Sequence, residues 1–276
     1  MMKQLRADLN ILMFGAKRCG KSSTLASMVA SLERANAAIK IAFANIITRN
    51  KLSQKETRLR TVFSDENVKR GFWIDEEEQS TEGVDSFDFL VTWNEHLTIT
   101  VKCTDIPGEW IKQQPELMTK FIKTADVIIV SIDTPQLMEN GMMGKSFNYT
   151  RIVNDFIIKS AIDNQDFMKR IIFVPVKCEK YVHAHLMPEV AERIKQAYSD
   201  VLHHWKQHNS DVFMVPVETL GNIEFDHFEH KTGEPHKVFY RYIGNNSYAP
   251  RWCEQPIIYA IEHVLYNKVP WDGNRK

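Results

Sequence analysis

Apolar positions along the chain follow two rhythms. Leu9 to Phe14 is a continuous apolar run of the kind carried by a strand buried on both faces. After a glycine-bearing segment, Leu25, Ala26, Met28, Val29 and Leu32 recur at the spacing of one helix face. The pattern predicts strand, loop and helix, the helix running from Lys21 to Arg34. Asp126 to Ile132 and Ile171 to Val176 are short β-branched runs, preceded by helical patterns over Pro115 to Lys123 and Tyr149 to Ala161, and read as buried parallel strands. Phe87 to Trp93 and Leu97 to Cys103 flank Asn94, Glu95 and His96, which predicts two antiparallel strands joined by a tight turn. Pro188 to His208 reads as one long helix and Val212 to Val217 as another buried strand. Gln255 to Tyr266 reads as a closing helix with Ile257, Ile258, Ile261, Val264 and Leu265 on its apolar side. Such alternation makes an α/β fold: a mainly parallel sheet, one antiparallel edge hairpin and helices on both faces.

Two stretches depart from this rhythm. Ile39 to Ile47 is apolar, but Thr48 to Arg60 then gathers Arg49, Lys51, Lys55, Arg58 and Arg60 against Glu56 alone, and Asp65 to Asp88 swings acidic through Asp75, Glu76, Glu77 and Glu78. Charge runs of this kind read as a solvated surface excursion. Phe225 to Cys253 is aromatic-rich with little periodicity, and its Phe225, Phe228, Phe239, Tyr240, Tyr242, Tyr248 and Trp252 suit a small satellite core. With no repeat and no low-complexity linker, residues 1–276 read as a single domain with insertions at about 40–80 and about 222–254.

Composition narrows the function classes. Thirty-five basic residues balance thirty-five acidic ones, so no global field draws the chain to nucleic acid or to an anionic membrane, and no nucleic-acid partner is expected. No apolar run reaches the length of a spanning helix, and no secretory signal is expected. Cys19, Cys103, Cys178 and Cys253 lie far apart, without the spacing of a zinc site or a disulfide framework, which points to a reducing cytoplasm. His227, His230, His236 and Cys253 match no standard zinc pattern either, and His183, His185, His203 and His204 read as surface or helix residues.

The chemistry is concentrated in "GAKRCGKSS". Gly15, Gly20, Lys21 and Ser22 fit the pattern of a phosphate-binding loop, with the required strand before it and helix after it. Its backbone, Gly15, Ala16, Lys17, Arg18, Cys19, Gly20, Lys21, Ser22 and Ser23, would cradle phosphate oxygens; Lys21 would reach the β and γ phosphates and Ser22 would ligate magnesium. Cys19, among amides at a helix N-terminus, is a candidate for a lowered thiol pKa and for oxidation.

"TDIPGE", Thr104 to Glu109, follows the hairpin and resembles the third motif of Ras-like GTPases of the translation-factor class. The resemblance implies that Asp105 sits near magnesium through water and that the Gly108 amide contacts the γ phosphate, so hydrolysis releases the loop that follows. It further implies a magnesium-ligating threonine ahead of the hairpin, for which Thr81 is the candidate and Ser80 the alternative. The base-reading motif is represented by Lys177 and Glu179 in "VKCEK", with Val176 and Glu179 where that family carries Asn or Thr and Asp. A glutamate can accept the same pair of ring hydrogen bonds from one methylene further out, so guanine recognition stays open. The backbone of "PVETLGN", Pro216 to Asn222, is expected near the base.

Where Ras-like enzymes place a glutamine after the motif glycine, this chain has Glu109, which adds negative charge beside the phosphates and implies slow turnover. Lys17 and Arg18 replace glycines of the Ras loop; either is a candidate internal cation for the transition state, or an outward-pointing loop residue. Trp110 would report on the second switch. The basic phosphate loop, the "DIPGE" stretch, the weak base motif and "SYAPRWCEQPIIYAIEHVL" together resemble the bacterial double-GTPase family, whose members are predicted switches encoded in pairs within signalling or anti-invader systems. This implies GTP/GDP and Mg2+ as cofactors and a second GTPase or effector as partner. Two alternatives remain, an ATP-dependent phosphotransferase with the Arg49 to Arg60 segment as its lid, and a nucleotide-binding scaffold without hydrolysis.

Overall fold

A computed structural model of the chain describes residues 5–35, 39–62, 72–74, 83–94, 97–139, 141–162, 169–207, 212–229, 236–241 and 247–267. A seven-stranded sheet forms the centre, in the order β2-β4-β5-β1-β6-β7-β8. These strands are β1 (Leu5–Phe14), β2 (Ile39–Phe43), β4 (Asp85–Trp93), β5 (Leu97–Asp105), β6 (Val127–Asp133), β7 (Arg170–Val176) and β8 (Val212–Met214). Only β4 runs against its neighbours, pairing antiparallel with β2 and β5, whereas β1 is parallel to both β5 and β6. The hairpin is as expected, and β2 lies outside it at the sheet edge.

Strand alternation sorts side chains into two cores. Leu9, Ile11 and Met13 of β1 face α1 (Lys21–Ala35) and α11 (Gln255–Asn267). Leu12 and Phe14 face the other layer, where α3 (Trp110–Gln113), α4 (Pro115–Thr124), α7 (Thr150–Ile162) and α9 (Met187–Ala197) pack. Burial on both faces is why these strands carry unbroken apolar runs. All seven residues of β6 and of β7 are buried, including Asp133 at the end of β6. Among the described residues no helix is long and apolar enough to cross a membrane.

Three expectations are corrected. The long helix breaks at Tyr198, whose φ of −119° and ψ of 29° leave the helical region, and α10 (Ser199–Gln207) starts anew. The break turns the Tyr198 ring into the core, 4.7 Å from the Phe173 ring. The strand predicted to reach Val217 is regular only to Met214, although the amides of Val215 and Val217 still donate to β7 carbonyls of Phe173 and Pro175. Pro216 between them has no N–H to offer.

The basic segment is a helix, α2 (Ile46–Thr61), capped by the Asn45 side chain accepting from the Thr48 amide at 2.8 Å. Arg49, Lys51, Arg58 and Arg60 are exposed and Lys55 is half-buried, while Leu52 joins the main core and Leu59 joins a satellite core with Leu220, Ile223, Phe225 and Phe239. That satellite core lies under a second sheet, β3-β10-β9, made of β3 (Phe72–Ile74), β10 (His236–Arg241) and β9 (Ile223–Glu229). The two irregular stretches of sequence thus meet in one three-stranded sheet.

Candidate functional site

The phosphate loop joins β1 to α1. Gly15 has a φ of +149°, and a Cβ there would lie 2.6 Å from the Ser131 carbonyl oxygen, so only glycine lets the loop leave the strand against β6. Lys21 is buried and folds back over the loop, its Nζ donating to the carbonyls of Gly15 at 3.0 Å and Ala16 at 2.8 Å. The α1 helix has fifteen residues and opens at Lys21 with its amide ends toward the loop.

Parallel pairing places Asp105, the last residue of β5, opposite Met13 of β1. The Ser22 hydroxyl donates to Asp105 Oδ2, while Asp105 Oδ1 is buried without a hydrogen-bond partner. Burial pushes the Asp105 carboxyl up from its ordinary value, against the Lys21 charge and the Ser22 hydrogen bond. An orphaned carboxylate oxygen beside a hydroxyl is a hard-oxygen donor set that fits a small divalent cation. Thr81 and Ser80, the proposed third contributors, lie outside the described residues.

Gly108 fits directly against the loop. A Cβ on it would lie 2.1 Å from the Lys17 amide nitrogen, so the turn after β5 sits on the backbone of the loop between β1 and α1. The next residue completes the contact, with Lys17 Nζ 2.6 Å from Glu109 Oε1. Burial would raise the Glu109 carboxyl, but the hydrogen bond and charge of Lys17, with help from Lys21, hold it below its ordinary value. Lys17 is therefore paired, not simply outward-pointing. Arg18 is exposed and holds a φ of +57°. Cys19 is fully buried, and burial pushes its thiol up, so the expected reactive thiol is corrected: desolvation outweighs the Lys21 charge and the backbone hydrogen bond.

At the other end, Lys177 follows β7 with a φ of +56°, and its Nζ donates to the Arg18 carbonyl at 3.0 Å. Lys177 is thus fastened to the loop between β1 and α1. Glu179 opens the short helix α8 (Glu179–His183), is 2% exposed, and accepts from the Leu220 amide at 3.4 Å. Burial pushes its carboxyl up to about 7, the nearby Glu218 charge adding to this against hydrogen bonds from backbone amides. The "VETLGN" backbone is therefore beside Glu179. Gly221, with a φ of +79°, packs on Ala249, where a Cβ would meet the carbonyl oxygen at 1.8 Å.

Residues 11–222 match the family model described as Double-GTPase 2, a span that takes in the phosphate loop, "DIPGE", Lys177, Glu179 and "VETLGN". The chain belongs to the Double-GTPase 2 family. A search of curated proteins found no match. Among solved structures, the S. cerevisiae Ski7 GTPase-like domain bound to GTP is similar at 16% identity and a TM-score of 0.49, covering 97% of this chain and 52% of that one. The chain spans about half the length of that structure.

In this family member, sequence reasoning missed a charged cluster behind the base motif. Asp133 is fully buried, with Lys177 Nζ 3.4 Å and Lys237 Nζ 3.1 Å from its Oδ2. His183 pairs with Glu224 of β9, and Arg251 lies 3.3 Å from buried Glu218. A carboxylate closing a strand that is apolar but for Ser131 was the available signal for Asp133, since ligands of such sheets bind beyond the carboxyl ends of the strands. Lys237 gave none. Among the described residues no group of three His, Cys, Asp or Glu side chains is placed to hold a metal ion.

Proposed function

We propose that this chain is a GTP-binding molecular switch with slow, partner-stimulated hydrolysis. It would work in the cytoplasm within a multi-component bacterial signalling or defence system and pass its state to a second GTPase or effector through the switch regions. Membership of a GTPase family supports the chemistry. The observation that carries the guanine reading is Lys177, which leaves the base motif at the end of β7 and donates to the phosphate-loop carbonyl of Arg18, so that base and phosphate contacts would share one rigid unit. We read the chain as one domain carrying two insertions.

In this reading the loop amides from Gly15 to Ser23 and the Lys21 ammonium hold the phosphates. Ser22 and Asp105 would hold Mg2+, joined by Thr81, and the ion would supply charge neutralisation at the β and γ phosphates. Lys21 must then exchange the carbonyls of Gly15 and Ala16 for phosphate oxygens. Gly108 would offer its amide to the γ phosphate. Glu109 would accept a hydrogen bond from the attacking water most strongly as an anion, and Lys17 keeps it one. The ion pair occupies two of the candidate catalytic side chains, Lys17 and Glu109, with each other, which makes intrinsic turnover slow and favours, as a second reading, a scaffold that binds without cleaving. Family membership weighs against the ATP-dependent phosphotransferase, and its lid candidate, α2, is packed into the core through Leu52.

Calorimetric titration of nucleotide-free protein with GDP and with ADP, each with magnesium, tests the reading. GDP is expected to bind about a hundredfold more tightly, a gap of about 2.7 kcal/mol. Equal affinities would leave a phosphate loop without a guanine site. Single-turnover hydrolysis of bound GTP then separates slow switch from scaffold.

A further inference from the structure

Asp133 is the last residue of β6, where every side chain is buried, and the structure provides it with two cations from distant parts of the chain. Lys177 comes from the base motif, and Lys237 from β10 in the small sheet. Lys237 is 6% exposed and its ammonium lies 5.0 Å from the centre of the Phe147 ring. The carboxylate is itself locked: its Oδ1 accepts from the Gln136 amide at 3.0 Å, and the Asp133 amide donates to the Asn148 side chain at 2.8 Å. Oδ2 therefore cannot swing to follow one lysine.

Two ammoniums on one buried carboxylate oxygen repel each other, so each offsets part of the pull the carboxylate exerts on the other. Lys237 is the nearer, and Lys177 at 3.4 Å keeps a separate hydrogen bond to the Arg18 carbonyl of the phosphate loop. Without Lys237 its repulsion is gone and the place beside Oδ2 is vacated, so the net field on Lys177 points more strongly to Asp133 and would draw its ammonium off the Arg18 carbonyl. We propose that Lys237 and Asp133 are positioning residues for nucleotide binding: Lys237 offsets Asp133 so that Lys177 stays fastened to the phosphate loop. The small sheet carrying Lys237 is thereby coupled to nucleotide affinity. This rests on the reading of the site as a guanine-nucleotide site.

The test is GDP affinity of the full chain with magnesium, measured by calorimetry for wild type, Lys237→Met, Lys237→Arg, Lys177→Met and the Lys237→Met/Lys177→Met double variant, each also melted thermally. Lys237→Met is expected to weaken GDP about tenfold and Lys237→Arg to restore affinity to within about threefold of wild type, in the range of couplings carried by packed networks. The double variant is expected to be no weaker than Lys177→Met alone, because Lys237 acts only through Lys177. Unchanged affinity in a folded Lys237→Met protein would overturn the proposal, as would losses that multiply in the double variant. If Lys237→Met does not fold, Asp133→Asn/Lys237→Met removes both the pull and its offset; GDP affinity within about threefold of wild type is expected, since nothing then draws Lys177 off the Arg18 carbonyl, and a loss of about tenfold would refute the idea. Failure of the wild type to bind GDP would sink the nucleotide reading itself, whereas multiplying losses on a wild type that binds would sink the positioning role alone.

Discussion

The phosphate end and the base end of the site solve one problem, holding a polar group in a buried place, by different means. At the phosphate end the donors are backbone amides and residues a few positions apart, with Lys21 folded onto Gly15 and Ala16 of its own loop. At the base end the groups come from β6, β7, the segment after β8 and β10, and carboxylates and cations offset one another inside the protein. A short-range cradle holds its shape by chain connectivity. A long-range charge cluster holds its shape only while every partner is present, because an unpaired buried charge is costly. The phosphate end is therefore expected to tolerate change around it, and the base end to respond to remote substitutions.

The sharpest break in this comparison is Lys21→Ala, expected to weaken triphosphate binding by at least about a hundredfold, or about 2.7 kcal/mol. Calorimetry with GTP and magnesium checks it, and undiminished affinity would mean the loop does not bind phosphate. Gly108→Ala comes next. Its Cβ must displace the Lys17 amide, so a loss of about 1–3 kcal/mol is expected in denaturant melts; an unchanged midpoint would show that the switch is not seated on the loop.

The base end should respond to pH. Glu179 sits at about 7 when folded, above the ordinary 4.5, so protonation favours the apo fold: this contribution is full below 4.5 and is lost as pH rises through about 7. Reading guanine needs the ionised carboxylate, so GDP binding should run the other way, weakening about tenfold per pH unit below 7. Opposite slopes for apo melting and GDP affinity, both flattened by Glu179→Gln, are the expected result. GDP affinity independent of pH from 5.5 to 8 would remove Glu179 from base reading. The smallest effect is expected for Glu109→Gln. The Lys17 pair is partly exposed, so stability should change by less than about 1 kcal/mol, while single-turnover GTP hydrolysis should quicken because a negative charge beside the phosphates is gone. Slower hydrolysis would mark Glu109 as a group the reaction needs.

How far each end could be read from the chain follows the same division. The strand–loop–helix order around Gly15 to Ser22, the hairpin and the buried runs of β6 and β7 were visible because the apolar spacing of each is local. The helix break was not, since Tyr198 leaves the helix to reach Phe173, and local periodicity carries no record of a distant ring. Charge composition suggested a solvated excursion where α2 lies; its two apolar anchors, Leu52 and Leu59, are too sparse to outweigh the basic residues around them. The Cys19 expectation failed for a related reason. Motif position reported the amides and the helix end, but burial set the sign of the thiol shift.

By itself, the sequence determined the buried runs of the central strands, the hairpin and the strand–loop–helix order around Gly15 to Ser22, because each depends on residues close in the chain or on a period of two or 3.6. Only the tertiary structure decided that the two irregular stretches meet in one small sheet, that Glu109 is held by Lys17, and that Lys237 shares the Asp133 oxygen with Lys177. The first is backbone pairing between strands far apart in the chain, and the others are contacts between charged side chains from separate elements, whose strength depends on burial and distance; none of this is written in the order of the residues.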